Sequence, residues 1–319
     1  MTKLKEGLFP GIPIEDYHNW EKHPAISSSL INIADKKTML HFKATIDGEA
    51  ENEKKPLIFG NIAHDILLQN SISDYVLQPP KRINEQGKEV NFVRSGKHWD
   101  EFLKEAEGRP ILKEDELEQL TGMHTALMNS EIANTLIFHS SDVELSGFWH
   151  EPEYDLWGKC RFDIISHELK VVGDYKSVAD ASPEKFSKSF YNYGYDIQCA
   201  WYDRGLKKIS KNQYDFVYIV QEKDPPYAVC CYRIPRADGY TNDDGEFIIT
   251  GKGPMEIGQI KIEKALANIS HSFRENTWPG YPELTLIKEL SWEITKANDI
   301  LRELKEKTHL EESHEPATS

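Results

Sequence analysis

Residues 158–202 read GKCRFDIISHELKVVGDYKSVADASPEKFSKSFYNYGYDIQCAWY, and the fold turns on this stretch. Asp163 and Asp174 lie eleven residues apart, Lys176 follows the second acid after one residue, and Gln198 and Tyr202 come later at one helical turn's spacing. The run Leu169-Lys170-Val171-Val172 leads into Asp174-Tyr175-Lys176 and reads as a strand. Strand residues two apart share a face, so Asp174 and Lys176 point one way and Tyr175 the other. A turn over 166–168 folds the Phe162-Asp163 strand back beside them. Asp163 then meets Asp174 at one strand end, with a lysine next to both.

That grouping has a chemical logic. Two close carboxylates repel and are costly without a cation between them. Oxygen-rich sites with open positions suit Mg²⁺ or Mn²⁺. Such an ion lowers the pKa of a bound water and stabilises charge on a phosphoryl oxygen, and a neighbouring lysine can orient that water. The set is equipment for phosphodiester hydrolysis.

Taken alone, an acid-x-lysine triplet says little. It recurs at Asp35/Lys37, Glu53/Lys55, Glu168/Lys170 and Glu303/Lys305. Without context, Asp163, Asp174 and Lys176 read as an ordinary surface ion pair. Glu168 is the serious competitor, but it falls at the turn, too near Asp163 in sequence to face it across a hairpin.

Working outward, residues 1–25 read as a lead-in with Pro10, Pro13 and Pro24. Ser27, Ser28 and Ser29 open a helix; capping explains them, and reception of a phosphate by exposed N–H groups is the functional alternative. Residues 56–70 read as a buried helix carrying His64, which by itself is more simply a core histidine than a ligand. Residues 80–98 hold Lys81, Arg82, Lys88, Arg94, Lys97 and His98 without apolar periodicity. They read as a mobile loop, solvated or touching DNA phosphates, with Arg94 and Lys97 as candidate contacts. Helices are expected over 98–107 and 113–138. Strands are expected over 143–149 and 154–165, with Glu144 either near the metals or simply exposed. Ser182-Pro183 opens a helix running to Lys208 with Tyr191, Tyr195, Gln198 and Tyr202 near one face. Strands 214–221 and 227–234 form a hairpin, 237–253 a turn, and 254–275 a helix. An amphipathic helix over 291–307 and a disordered acidic tail over 308–319 follow.

Composition sets outer bounds. With 319 residues, 39% hydrophobic and 11% aromatic, the chain can bury a sizeable core. No apolar run is long enough to span a membrane, and the N-terminus lacks a signal peptide's apolar centre, so a cytoplasmic protein with no membrane partner is expected. The four cysteines lack C-x-x-C spacing and read as reduced, with no iron–sulfur quartet. The net charge of −15 opposes nucleic-acid binding unless a basic channel lies within an acidic exterior.

The residues together resemble the PD-(D/E)XK nuclease motif: Asp163, then Asp174-Tyr175-Lys176, with Phe162 standing where the family name has proline. Gln198 to Tyr202 resembles the Q-x-x-x-Y signature of the RecB-like branch, and His64 in Gly60-Asn-Ile-Ala-His64 matches that branch's upstream histidine. The likeness is greatest to the RecE-type exonuclease domain (exonuclease VIII) of prophages and covers about residues 15–295. It implies a restriction-endonuclease-like α/β fold, a central mixed β-sheet flanked by helices, over residues 26–307. It implies a Mg²⁺-dependent exonuclease, with Mn²⁺ as a substitute, that degrades the 5′-ended strand of linear double-stranded DNA. The 3′ single strand left behind would serve recombination by an annealing recombinase. By the same resemblance Asp163, Asp174, His64 and the Tyr175 carbonyl hold metal, Lys176 acts on the water, and Gln198 and Tyr202 orient substrate and lysine. The resemblance also implies a ring-shaped homo-oligomer, such as a tetramer, through which the DNA would thread. The rivals are a RecB-like nuclease of other polarity, a single-strand nuclease or endonuclease, and a catalytically silent DNA-binding protein.

Overall fold

The computed structural model describes residues 4–49, 75–241 and 247–285, with single positions 295, 300 and 302. The chain divides into two units, 1–279 and 280–319, and the architecture below belongs to the first. His64 with its expected helix, and most of the expected 291–307 helix and the tail, lie outside the described residues.

In chain order the elements begin with β1 (Gly7–Phe9), α1 (Ile14–His18), α2 (Ser28–Lys36) and α3 (Met39–Ile46). Next come β2 (Val76–Leu77), β3 (Lys81–Ile83), β4 (Glu89–Asn91), α4 (Lys97–Ala106), β5 (Ile111–Leu112), α5 (Glu114–Asn129) and α6 (Glu131–Phe138). The centre is β6 (Asp142–Glu151), β7 (Leu156–Ser166), β8 (Val171–Val178), α7 (Pro183–Tyr193), α8 (Tyr195–Ser210) and β9 (Asp215–Glu222). β10 (Val229–Arg233), β11 (Ala237–Thr241), β12 (Phe247–Lys252) and α9 (Pro254–Glu275) complete it.

The main sheet has the order β1-β6-β7-β8-β9-β10. Its pairings are antiparallel except β8 with β9, which run parallel. That parallel pair needs a crossover, and α7 and α8 supply it. The sheet is therefore mixed, as expected. Two cores flank the sheet, and the in-and-out pattern of β7 changes phase at Asp163. Phe162, Val172 and Phe216 pack with α2, α8 and α9, whereas Ile164, Tyr175 and Ile219 pack with α5 and α6. Among the described residues no helix is long and apolar enough to cross a membrane.

Several local expectations change. The lead-in supplies β1, which pairs with β6 at the sheet edge; three residues are too few to show a two-residue period. Residues 81–91 form the hairpin β3–β4 rather than a loop, pinned by the Asn84 side chain accepting from Gln86 and Lys88 N–H. The single helix expected over 113–138 breaks at Ser130, whose backbone is extended. The helix expected over 183–208 breaks at Gly194, held in the left-handed region at φ 76°. Residues 237–241 and 247–252 pair as β11–β12 instead of forming only a turn. α9 lies against α8 so closely that a Cβ at Gly258 would come within 2.1 Å of the Asp196 carbonyl oxygen.

Candidate active site

The β7–β8 ladder runs from Ser166 opposite Val171 to Ile164 opposite Gly173. One step further, the same register sets Asp163 against Asp174. Here the ladder stops, and Tyr175 N–H donates to Asp163 Oδ2 at 2.9 Å instead of to a backbone carbonyl. A strand residue's N–H and C=O face the same neighbour, so the Tyr175 carbonyl looks into this gap too. The parallel register places Tyr218 beside Asp174. On the other side, Glu144 falls between the pairs Val143–Ile164 and Leu145–Phe162, opposite Asp163. Glu144, Asp163, Asp174 and Tyr218 thus form one row across four strands. Glu144 has a left-handed backbone, φ 53°, and its carboxylate accepts from Arg161 at 2.6 Å.

Asp174 is almost wholly buried, 1% exposed, and its Oδ1 lies 2.5 Å from Lys176 Nζ. Its Oδ2 accepts from Gln198 Nε2 at 2.8 Å. The Tyr218 hydroxyl sits 3.2 Å from Gln198 Oε1 and 2.8 Å from the Tyr195 carbonyl, so the amide has one orientation. Tyr202 OH lies 3.4 Å from Gln198 Nε2, and its ring packs on Phe162 and Phe216. Lys176 Nζ is 5.0 Å from the Tyr195 ring centre and 5.8 Å from that of Tyr218. Burial alone would lower the Lys176 pKa, but the Asp174 and Asp163 carboxylates outweigh it and hold the group above the usual lysine value. In this arrangement Lys176 points its ammonium group at Asp174. Tyr175 turns its ring to the opposite face, where its hydroxyl donates to Gln221 at 2.7 Å.

The structure thereby brings together Asp163, Asp174, Tyr175, Lys176, Gln198 and Tyr202. Gln198 reaches Asp174 rather than Lys176, and Tyr202 is a buried support, 7% exposed. Ser27 caps α2, accepting from Leu30 N–H at 3.4 Å, and its hydroxyl meets that of Ser29 at 2.8 Å. Ser28 occupies the first turn of α2. Arg94 does not present a free charge: its guanidinium binds both oxygens of Glu116, Gln78 Oε1 and the Ile111 carbonyl. It ties the β4–α4 connection to α5. Lys97, 3.9 Å from Glu101, is 89% exposed at the start of α4. Glu168 sits in the β7–β8 turn, beside His139 and largely in water. Tyr218 is not singled out by the sequence; within the apolar run of β9 nothing marks it until the parallel register sets it beside Asp174.

The donor set fits a hard divalent cation. Asp163 and Asp174 carry two negative charges against the single Lys176 ammonium, and the Tyr175 carbonyl faces the same gap. Among the described residues no cluster of three or more His, Cys, Asp or Glu could hold an ion. Two carboxylates are nevertheless what Mg²⁺ commonly takes from a protein, the rest of its shell being water and substrate phosphate oxygens.

A mixed sheet between two helical layers, with an Asp pair and a lysine where two of its strands separate, defines a PD-(D/E)XK-type domain. The chain belongs to the family described as PDDEXK-like domain of unknown function (DUF3799), whose profile matches residues 27–285. It is also similar to a crystal structure described as a "Putative exonuclease" from Eubacterium rectale, at 13% identity and TM-score 0.56. The match covers 90% of this chain and 98% of that one, a likeness of fold. No curated protein matches the chain.

Proposed function

We propose that this protein is a divalent-metal-dependent deoxyribonuclease, using Mg²⁺ or Mn²⁺, that degrades the 5′-ended strand of linear double-stranded DNA. The observation that carries the reading is the Asp163–Asp174 pair at the point where the β7–β8 ladder ends, with Lys176 against the inner acid. The RecE-type resemblance supports the polarity and the substrate, and the fold neighbour's description as an exonuclease agrees with it. Asp163, Asp174 and the Tyr175 carbonyl would hold the cation, joined by His64 if the upstream motif acts as in the family. Bound there, the cation would supply a water of lowered pKa and neutralise charge on the phosphoryl oxygen. Lys176 donates to the phosphate as negative charge builds up. Gln198 fixes the rotamer of Asp174, and Tyr218 fixes Gln198. In the same reading Ser27, Ser28 and Ser29 receive a neighbouring phosphate at the α2 start, and Lys97 meets the backbone of the DNA. The product would be a 3′ single strand for an annealing recombinase, released by a ring-shaped homo-oligomer in the cytoplasm.

The test is digestion of linear duplexes labelled at the 5′ or the 3′ end, with Mg²⁺, Mn²⁺ or chelator, and a closed circle as control. Early release of short 5′-labelled products, from linear DNA and only with metal, is the expected result. Early 3′ release or nicking of the circle would overturn the polarity or the exonuclease reading. No cleavage with any metal would favour a DNA-binding protein that keeps the fold.

A further inference from the structure

Tyr193 ends an aromatic series that begins at Lys176. The Tyr195 ring lies 5.0 Å from Lys176 Nζ, and the Tyr193 ring lies 5.9 Å from Tyr195. Phe186 also stacks on Tyr195, at 6.0 Å and 28°. Tyr195 is half-buried in this group, but Tyr193 is 66% exposed. A single exposed tyrosine is ordinary. Two further features distinguish this one.

The first is its mounting. Lys36 Nζ donates to the Tyr191 and Asn192 carbonyls at 2.8 and 2.7 Å, and Asn32 Nδ2 donates to the Tyr193 carbonyl at 3.4 Å. Gly194 turns the chain immediately afterwards, and a Cβ there would come within 2.3 Å of Asn32 Oδ1. Two side chains of α2 therefore clamp the α7–α8 corner, and the ring stands in water on a fixed backbone. The second is its distance. The two ring spacings laid end to end limit the separation of Lys176 Nζ and the Tyr193 ring to about 11 Å. Phosphates along one duplex strand advance about 3.4 Å per nucleotide. A strand whose phosphate sits at Asp163 and Asp174 thus has bases within about three nucleotides that this ring can reach.

We propose that Tyr193 is a substrate-positioning residue that stacks on a base of the bound DNA strand within three nucleotides of the phosphate held at Asp163 and Asp174. The inference rests on the nuclease reading above. Every base offers a π-face, so such a platform steadies a strand end without sequence preference.

The test compares wild type, Tyr193→Phe and Tyr193→Ala on duplexes carrying one abasic nucleotide at each of the first several positions. On intact DNA, Tyr193→Ala should raise KM about tenfold with kcat nearly unchanged, as loss of one base stack predicts, and Tyr193→Phe should match wild type. At one abasic position the three proteins should become equal. Equal KM values on intact DNA, a Phe variant as weak as Ala, or an Ala defect that persists at every abasic position would overturn the proposal. Fluorescence anisotropy on the same oligonucleotides repeats the comparison without cleavage. If wild type binds but hydrolyses nothing, and the Ala binding defect disappears at one abasic position, the stack stands and the nuclease reading falls. If wild type binds no DNA, both fall.

Discussion

Replacing Lys176 with methionine removes the cation 2.5 Å from an Asp174 that is 1% exposed. At that separation and an effective dielectric of about 20 the attraction is about 7 kcal/mol, most of it offset by taking both charges out of water. Removing one partner of such a pair costs about 3–5 kcal/mol, because the remaining charge is left buried. Gln198 still donates to Asp174 Oδ2, so the lower end of that range is expected. In a unit of this size, about 3 kcal/mol lowers Tm by roughly 5 °C. The deficit should shrink when a divalent cation is added, since the ion takes over neutralisation of the two acids. Linkage then predicts a larger metal-induced rise in Tm for the variant than for wild type. Differential scanning fluorimetry with Mg²⁺ or Mn²⁺ against chelator measures both effects. Nuclease assays on the same samples should show a fall of about a hundredfold or more in kcat, the range set by loss of one positioned donor to the developing charge. A variant that melts with wild type, gains no extra stability from metal and digests DNA normally would refute the assignment of this centre.

The hydroxyl of Tyr218 reaches both Gln198 Oε1 and the Tyr195 carbonyl, so Tyr218→Phe should lower kcat while costing only about 1 kcal/mol in stability; unchanged kcat would remove Tyr218 from the site. Glu151, buried at the end of β6, receives Trp149 Nε1, two nitrogens of Arg204 and Lys208 Nζ. Burial would raise its pKa, but these donors outweigh it and hold the carboxyl below the usual value. Its stabilisation is present above the unfolded-state pKa and is lost as pH falls through the depressed folded value. Glu151→Gln should cost about 3 kcal/mol in urea unfolding at pH 7 and progressively less as pH falls below the ordinary glutamate value; a pH-independent loss would contradict this. Lys159, 3% exposed, donates to the Tyr17 and His23 carbonyls, and burial lowers its pKa to about 8. Its folded pKa lies below its unfolded one, so charging it costs stability. The cost, about 3 kcal/mol, is complete below pH 8 and fades as pH rises towards 10.5. Wild type should therefore gain on Lys159→Met between pH 7 and 10; parallel stability profiles would refute the burial argument.

Much of the centre is legible in one dimension. A two-residue period orients Asp174 and Lys176 to one face and Tyr175 to the other, whatever the rest of the chain does, and the short turn at 167–170 leaves the two strands few registers in which to pair. Helical spacing likewise puts Gln198 and Tyr202 on one side of α8. Those relations depend on a few adjacent residues, so sequence alone determines them, together with the mixed α/β class. Helix breaks at Ser130 and Gly194 were hidden, because apolar periodicity continues across both and only packing decides where the chain turns. That Arg94 is paired within the protein also needed tertiary structure, since Glu116, its partner, is 22 residues away. Tyr218 enters the site only through a parallel pairing that spans the whole α7–α8 crossover. Tyr193 gains its significance from α2, whose Asn32 and Lys36 hold the α7–α8 corner from about 160 residues upstream. Sequence determines which side chains can share a face; chain crossings between distant segments decide which faces meet, because those contacts depend on the summed packing of the whole core.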